Sequence, residues 1–183
     1  MATALSIVTQ NYEETQKLGK ELGRSLPPGS IVALTGQLGS GKTTLVQGIG
    51  KGLGVRSLVK SPSFVIIHEY SGSVPLYHFD LYRIAHQEEI ICLGYQDYFY
   101  QRKGIVVIEW AEKIEDFLPA EYLKIELEIV DLSKRRIALR AYGSFYRKVI
   151  EEMEKGGYFV PSRYRYLGKK GDFLPGNQRK NPG

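Results

Sequence analysis

Residues 36–43 read Gly-Gln-Leu-Gly-Ser-Gly-Lys-Thr, and a second threonine follows at Thr44. This spacing suits the holding of a chain of phosphates. Glycine tolerates positive φ, so Gly36, Gly39 and Gly41 let the backbone curl. The N–H groups of the loop, through Leu38 and Ser40, then turn onto phosphate oxygens. Lys42 places a charge on the β- and γ-phosphates, and the Thr43 hydroxyl can ligate Mg²⁺. An octet of this kind can arise by chance, so its flanks matter. Ile31 to Thr35 before it is a continuous apolar run, and a helical pattern starts at Lys42 after it. A strand feeding a glycine loop and then a helix N-terminus is the arrangement that attracts an anion. The octet therefore points to a nucleoside triphosphate, ATP with Mg²⁺.

Such a site needs a carboxylate near the cation, usually at the end of a neighbouring buried strand. Ile105-Val106-Val107-Ile108-Glu109 provides one, because four apolar residues carry a strand through the core and Glu109 ends it. Asp80 ends a second strand in Tyr-His-Phe-Asp-Leu-Tyr-Arg; it reads either as a turn or cap residue or as a second carboxylate at the cation. His78 in the same segment could carry a proton, but a strand histidine with both ring nitrogens hydrogen-bonded is the simpler expectation. Ser61-Pro62-Ser63-Phe64 follows the loop helix, and a hydroxyl from such a region often meets Mg²⁺ as a switch. Cys92 is the one cysteine; it lies in the apolar run Ile90 to Leu93 and is expected to be a small core side chain.

These residues must be held by a fold. Ala4 to Val8 reads as a strand. Asn11 followed by Glu14 forms a capping box at the head of a helix over 12–25, with Leu18, Leu22 and Leu26 repeating on one face. Pro27-Pro28-Gly29 ends it. The loop helix runs from Lys42 to about Leu53. The segment 64–70 should pair with 76–79 across Ser71-Gly72-Ser73, and 87–102 looks helical but contains Gly94 and several aromatics. Residues 104–108 form a second buried strand, while 122–130 and 135–142 alternate as an antiparallel pair. Strands alternating with helices predict an α/β fold. We expect a P-loop NTPase-like three-layer sandwich with a central mixed, partly parallel sheet plus antiparallel strands.

Four segments occur in order: GQLGSGKTT, SPSF with Tyr70 shortly after, YHFDLYR, and VVIEWAE. Together they resemble the TsaE (YjeE) family over roughly residues 5–142. Its members are small bacterial P-loop ATPases needed to make N6-threonylcarbamoyladenosine in tRNA. The resemblance implies that Lys42 is the phosphate lysine, Thr43 a Mg²⁺ ligand, and Glu109 the carboxylate that holds Mg²⁺ directly or through water. It makes Asp80 a candidate for positioning or activating the attacking water. It puts Ser63 where the family usually has threonine, leaving the switch hydroxyl in place, and sets Trp110 near the nucleotide or a partner. The adenine would lie beside the helix start near Asn11 and Thr15. It further implies docking on a complex of TsaD and TsaB in the cytoplasm, with weak hydrolysis by the chain alone. Two other functions share the loop: a small-molecule kinase using Asp80 as base, and a nucleotide-dependent binding switch with negligible catalysis. A kinase would normally carry an arginine-rich lid, and no such segment is evident.

Charge separates the chain into two parts, an ATPase domain over 1–143 and a C-terminal helix and basic tail over 144–183. Residues 1–143 hold 16 basic and 16 acidic residues, whereas the remainder holds nine basic and four acidic and carries the whole net charge of +5. No apolar stretch is long enough to span a bilayer. Arg163, Arg165, Lys169 and Lys170 beside Tyr158, Tyr164 and Tyr166 have the composition of a tRNA-phosphate contact. Terminal charge runs are more often simply solvated. Removal of residues 156–183 is accordingly expected to leave tRNA affinity and its salt dependence unchanged. A filter-binding titration at several salt concentrations checks this, and a shallower salt slope in the truncated chain would assign the contact instead.

Overall fold

The computed structural model describes residues 4–61, 66–100 and 103–155. The elements in chain order are β1 (Ala4–Thr9), α1 (Tyr12–Ser25), β2 (Ile31–Thr35), α2 (Lys42–Gly52), β3 (Ile67–Tyr70), β4 (Leu76–Asp80), α3 (Glu89–Cys92), α4 (Tyr95–Tyr100), β5 (Ile105–Glu109), a 3-10 helix (Ala111–Phe117), β6 (Tyr122–Ile129), β7 (Arg135–Tyr142) and α5 (Ser144–Lys155). The strands form one seven-stranded sheet in the order β1-β7-β6-β2-β5-β4-β3. β2 lies parallel to both β5 and β6, and β4 lies parallel to β5. β3, β7 and β1 add antiparallel. The mixed, three-layer α/β architecture read from the sequence is the one observed.

Burial on both faces explains the apolar strands: every residue of β2 and of β5 is buried. One apolar core joins α1, α2 and α5 to a face of the sheet through Leu18, Leu22, Leu45, Ile49, Val149 and Ile150. The other packs α3, α4 and the 3-10 helix on the opposite face through Phe79, Ile90, Phe99, Ile108 and Ile114. The helix α5 is fixed further by Tyr146, whose hydroxyl accepts a hydrogen bond from the Ile31 N–H at 2.8 Å. The tail from residue 156 onward lies outside the described residues.

Local signals account for α1. The Asn11 carboxamide oxygen accepts from the Glu14 N–H at 2.9 Å, and the Glu14 carboxylate accepts from the Gln10 N–H at 2.8 Å. The second bond lands one residue earlier than in a standard capping box. The segment 87–102 departs from a single helix: Gly94 at φ +65° splits it into α3 and α4. The four-residue α3 points only Ile90 into the core, so Cys92 is exposed rather than buried as the apolar run suggested.

α1 and α2 meet backbone to backbone. Gly19 and Gly23 of α1 face Gly48 and Gly52 of α2, and a methyl group added at any of the four would stand 2.2–2.4 Å from a carbonyl oxygen of the other helix. Gly48→Ala would place its methyl 2.2 Å from the Gln16 carbonyl oxygen, whereas at Gly50 of the same helix the nearest atom is a Val59 side-chain methyl at 2.9 Å. Both changes gain the same helix propensity of about 1 kcal/mol. Gly48→Ala should still destabilise by about 1–3 kcal/mol through overpacking, and Gly50→Ala by clearly less. Urea unfolding of the two variants compares them directly, and equal midpoints would mean that the helix contact is looser than described.

Candidate phosphate site

The parallel alignment of β2, β5 and β4 brings their C-terminal ends to one edge of the sheet. Leu34 and Asp80 are both in register with Glu109. The chain leaves β2 at Thr35 and enters the loop with Gly36, Gly39 and Gly41 at φ +136°, +76° and +97°. A side chain at Gly36 would in addition meet the Leu127 carbonyl oxygen at 2.3 Å, so sterics as well as φ require glycine there. Gly41 caps α2 with no side-chain hydrogen bond, so the first N–H groups of the helix face the loop. A cleft of about 430 Å³ opens over this loop, lined by Leu38, Gly39, Ser40, Gly41, Lys42, Thr43, Thr44, Ser61, Ile66, Asp80, Tyr82, Arg83, Glu109 and Trp110.

Lys42 is only 4% exposed. Its ammonium donates to the carbonyl oxygens of Gly36 at 2.6 Å and Gln37 at 3.0 Å. It also lies 3.7 Å from the centre of the Trp110 ring, a cation–π contact worth about 0.5–2 kcal/mol. Burial pushes its pKa below the usual lysine value, against the opposing pull of Glu109, Glu112 and Asp80. Trp110 adopts φ +63°, ψ +39°, the one positive φ outside glycine among the described residues. Holding a bulky residue there costs on the order of 1–3 kcal/mol, and such costs cluster at functional sites. The Tyr82 ring packs against it at 5.2 Å.

Glu109 is 2% exposed, and both of its oxygens are bonded. One accepts from the Thr43 hydroxyl at 3.0 Å, and the other meets Nε2 of the fully buried His78 at 2.9 Å. Nδ1 of His78 has no partner, so only one ring nitrogen is bonded where both were expected. Asp80 takes the turn role read from the sequence and also lines the cleft. Oδ1 accepts from the Tyr82 N–H at 3.1 Å as a turn carboxylate does, while Oδ2 accepts from the Ser61 hydroxyl at 2.5 Å at the cleft.

The donor set at the cleft suits Mg²⁺: the Thr43 hydroxyl and a Glu109 carboxylate oxygen lie 3.0 Å apart, with the Asp80 carboxylate lining the same cleft. Among the described residues no group of three or more His, Cys, Asp and Glu side chains could hold a metal by itself. Mg²⁺ does not require one, since it typically takes one or two carboxylates with phosphates and water.

The structure thus brings Lys42, Thr43, Thr44, Asp80 and Glu109 together. It does not bring Thr15: that residue is buried and its hydroxyl is bonded to Thr9 Oγ1 at 2.8 Å and the Asn11 carbonyl at 3.2 Å. Ser63 lies outside the described residues. In the Ser61-Pro62-Ser63-Phe64 segment it is the Ser61 hydroxyl that makes the bond to Asp80. One residue near the loop was missed in the sequence. Arg135 donates to the Gly39 carbonyl at 3.3 Å; the pairing of β7 with β6 puts it there, and no local motif announces it.

The chain is similar to known proteins. Residues 9–137 match the family model described as "Threonylcarbamoyl adenosine biosynthesis protein TsaE". A Bacillus subtilis (strain 168) protein named "tRNA threonylcarbamoyladenosine biosynthesis protein TsaE" is 40% identical over 148 residues, covering 80% of this chain and 92% of its own. One of the same name from Nostoc sp. is 42% identical over 140 residues, covering 74% and 85%. The crystal structure of Bacillus subtilis YdiB superposes with a TM-score of 0.75 at 37% identity, covering 86% of this chain and 98% of that one.

Trp110 is the chain's one tryptophan. A polyanion that draws the Lys42 ammonium away from the ring should change its fluorescence. Titration with a nucleoside triphosphate is expected to show this, and Lys42→Met to lose most of the response. A response of equal size in Lys42→Met would mean that the ring senses something other than the ammonium.

Proposed function

The chain belongs to the TsaE family, and from that premise we propose that it is a Mg²⁺-dependent ATP-binding and ATP-hydrolysing accessory protein for making N6-threonylcarbamoyladenosine in tRNA, acting on a complex of TsaD and TsaB. The observation that carries the chemical part is the 3.0 Å contact between Thr43 and Glu109 at the mouth of a glycine loop that also holds Lys42. The names of the relatives support the tRNA part.

Each residue has a task in this reading. The loop N–H groups and the α2 terminus bind the phosphates, and Lys42 exchanges its bonds to Gly36 and Gln37 for bonds to the β- and γ-phosphates. Thr43 and Glu109 would hold Mg²⁺, which when bound would supply positive charge beside the phosphates. Asp80 orients the attacking water, with Ser61 fixing its carboxylate. Because preorganised charge rather than covalent chemistry lowers such barriers, turnover depends on how fully the cleft is enclosed. The cleft is open to solvent on one side, with Leu38 and Tyr82 exposed on its rim. Hydrolysis by the chain alone is therefore slow and rises when TsaD and TsaB cover that rim.

One observation favours a second reading, a nucleotide-dependent switch with negligible catalysis. Both Asp80 oxygens are already bonded, which suits a structural carboxylate as well as a water-orienting one.

Glu109→Ala separates the two. In the ATP-hydrolysing reading it retains Mg²⁺-free nucleotide binding but loses Mg²⁺-dependent hydrolysis and support of tRNA modification. Lys42→Ala should weaken triphosphate binding on the order of 10- to 100-fold, the loss of one or two charge-assisted bonds. The measurements are calorimetric binding and a reconstituted modification assay with TsaD and TsaB. Unimpaired modification by Glu109→Ala with intact ATP binding would sink the ATP-hydrolysing reading.

A further inference from the structure

Asp80 and Glu109 are in register across β4 and β5, and two residues earlier His78 is in register with Val107. Side chains two apart share a sheet face. His78 therefore lies on the same face as both carboxylates, one step deeper, within the apolar layer between the sheet and α2 that includes Leu76 and Val107. It is completely buried, and its ring makes its polar contact through Nε2, with the Glu109 oxygen opposite the one that meets Thr43. A carboxylate bonded through both oxygens cannot swing about its last torsion. With the histidine bond lost, one oxygen would be buried without a donor, and the group could rotate away from Thr43.

We propose that His78 is a positioning residue for the cation site: its Nε2–H holds one oxygen of Glu109 so that the other stays aimed at Thr43 and at a divalent cation bound beside it. The proposal rests on the functional reading above. It assigns the residue to the Nε2–H tautomer, with Nδ1 as a bare acceptor. Of the two ring nitrogens, the unprotonated one is the cheaper to leave unpartnered in an apolar layer, because a buried N–H without an acceptor is the rarer defect. Support of this kind behind a metal ligand commonly changes metal affinity 10- to 100-fold while leaving the other ligands alone.

The test uses the full chain with three variants. His78→Leu fills the space without a donor. His78→Gln restores an amide N–H at about the reach of Nε2. His78→Asn carries the same amide too short to reach Glu109. Nucleotide binding is measured with EDTA and again across a Mg²⁺ titration, with circular dichroism as the check on folding. The expected result for His78→Leu is Mg²⁺-free affinity within about twofold of the parent, with the Mg²⁺ midpoint raised on the order of 10- to 100-fold. His78→Gln should recover most of that loss and His78→Asn little of it. Equal loss with and without Mg²⁺, or no rescue by Gln over Asn, would make His78 a packing residue and overturn the proposal. Should His78→Leu not fold, the Gln and Asn pair still decides, together with the ¹⁵N spectrum of the parent protein. That spectrum should show His78 protonated at Nε2 and perturbed by Mg²⁺ with nucleotide; an Nδ1–H tautomer would overturn the assignment. If the parent itself shows no Mg²⁺-dependent nucleotide binding, the functional reading has failed. If the parent does and His78→Leu matches it, this inference alone has failed.

Discussion

The buried carboxylate of Glu109 is the constraint on which the site depends. A charge removed from water at the end of a core strand costs several kcal/mol unless its oxygens are bonded. Here the bonds come from two other elements, Thr43 on α2 and His78 on β4. Three elements distant in sequence must therefore be placed together before this one residue is tolerable. The same placement puts the ammonium of Lys42, the Thr43 hydroxyl and the Asp80 carboxylate around one cleft. Satisfying a buried charge and assembling a phosphate site are one geometric condition in this fold.

Placement of α2 is the least forgiving part of that condition. The helix has to present its N-terminus to the loop while Thr43 reaches Glu109. Its far side has no freedom, because Gly48 and Gly52 rest on the backbone of α1, and Gly19 and Gly23 rest on that of α2. Side-chain packing between helices can yield by rotamer changes; a contact between backbones cannot. The N-terminal helix thus acts as a fixed support behind the phosphate loop. Thr15, whose hydroxyl is spent on Thr9 and Asn11, belongs to that support rather than to the nucleotide.

Much of this was legible in the sequence, for identifiable reasons. The loop is a local motif, and its glycines must be glycines. β2 and β5 are apolar throughout because parallel strands are covered on both faces, so Glu109 at the end of such a run stood out. The capping residues at Asn11 and Glu14 marked the start of α1 to the residue. What was not legible depends on strand order. Arg135 reaches Gly39, and His78 reaches Glu109, only because β7 follows β6 and β4 follows β5 across the sheet. No window of sequence contains that order. The glycine pairs Gly19/Gly23 and Gly48/Gly52 were visible at a four-residue spacing, but glycine in a helix reads as weakness until the partner helix is known. Cys92 shows the converse error: an apolar run implies burial only when the element is long enough to cover its own faces, and α3 is a single turn.

Local costs are concentrated where the chemistry would be. Among the described residues the two buried side-chain polar atoms without partners are Ser40 Oγ, in the loop, and His78 Nδ1, behind Glu109. Among those same described residues, the one non-glycine residue with positive φ is Trp110, directly after Glu109 and over Lys42. Chance would scatter such features through a chain of this length, whereas they surround a single cleft. Two apolar cores, one on each face of the sheet, supply the stability that tolerates them. A sequence selected for stability alone would relax Trp110 to glycine and replace His78 with an aliphatic residue of similar volume. Keeping both is intelligible if the ring must cover the ammonium and the imidazole must hold the carboxylate. The strained and unsatisfied groups then mark the boundary of the working site more sharply than the loop motif does.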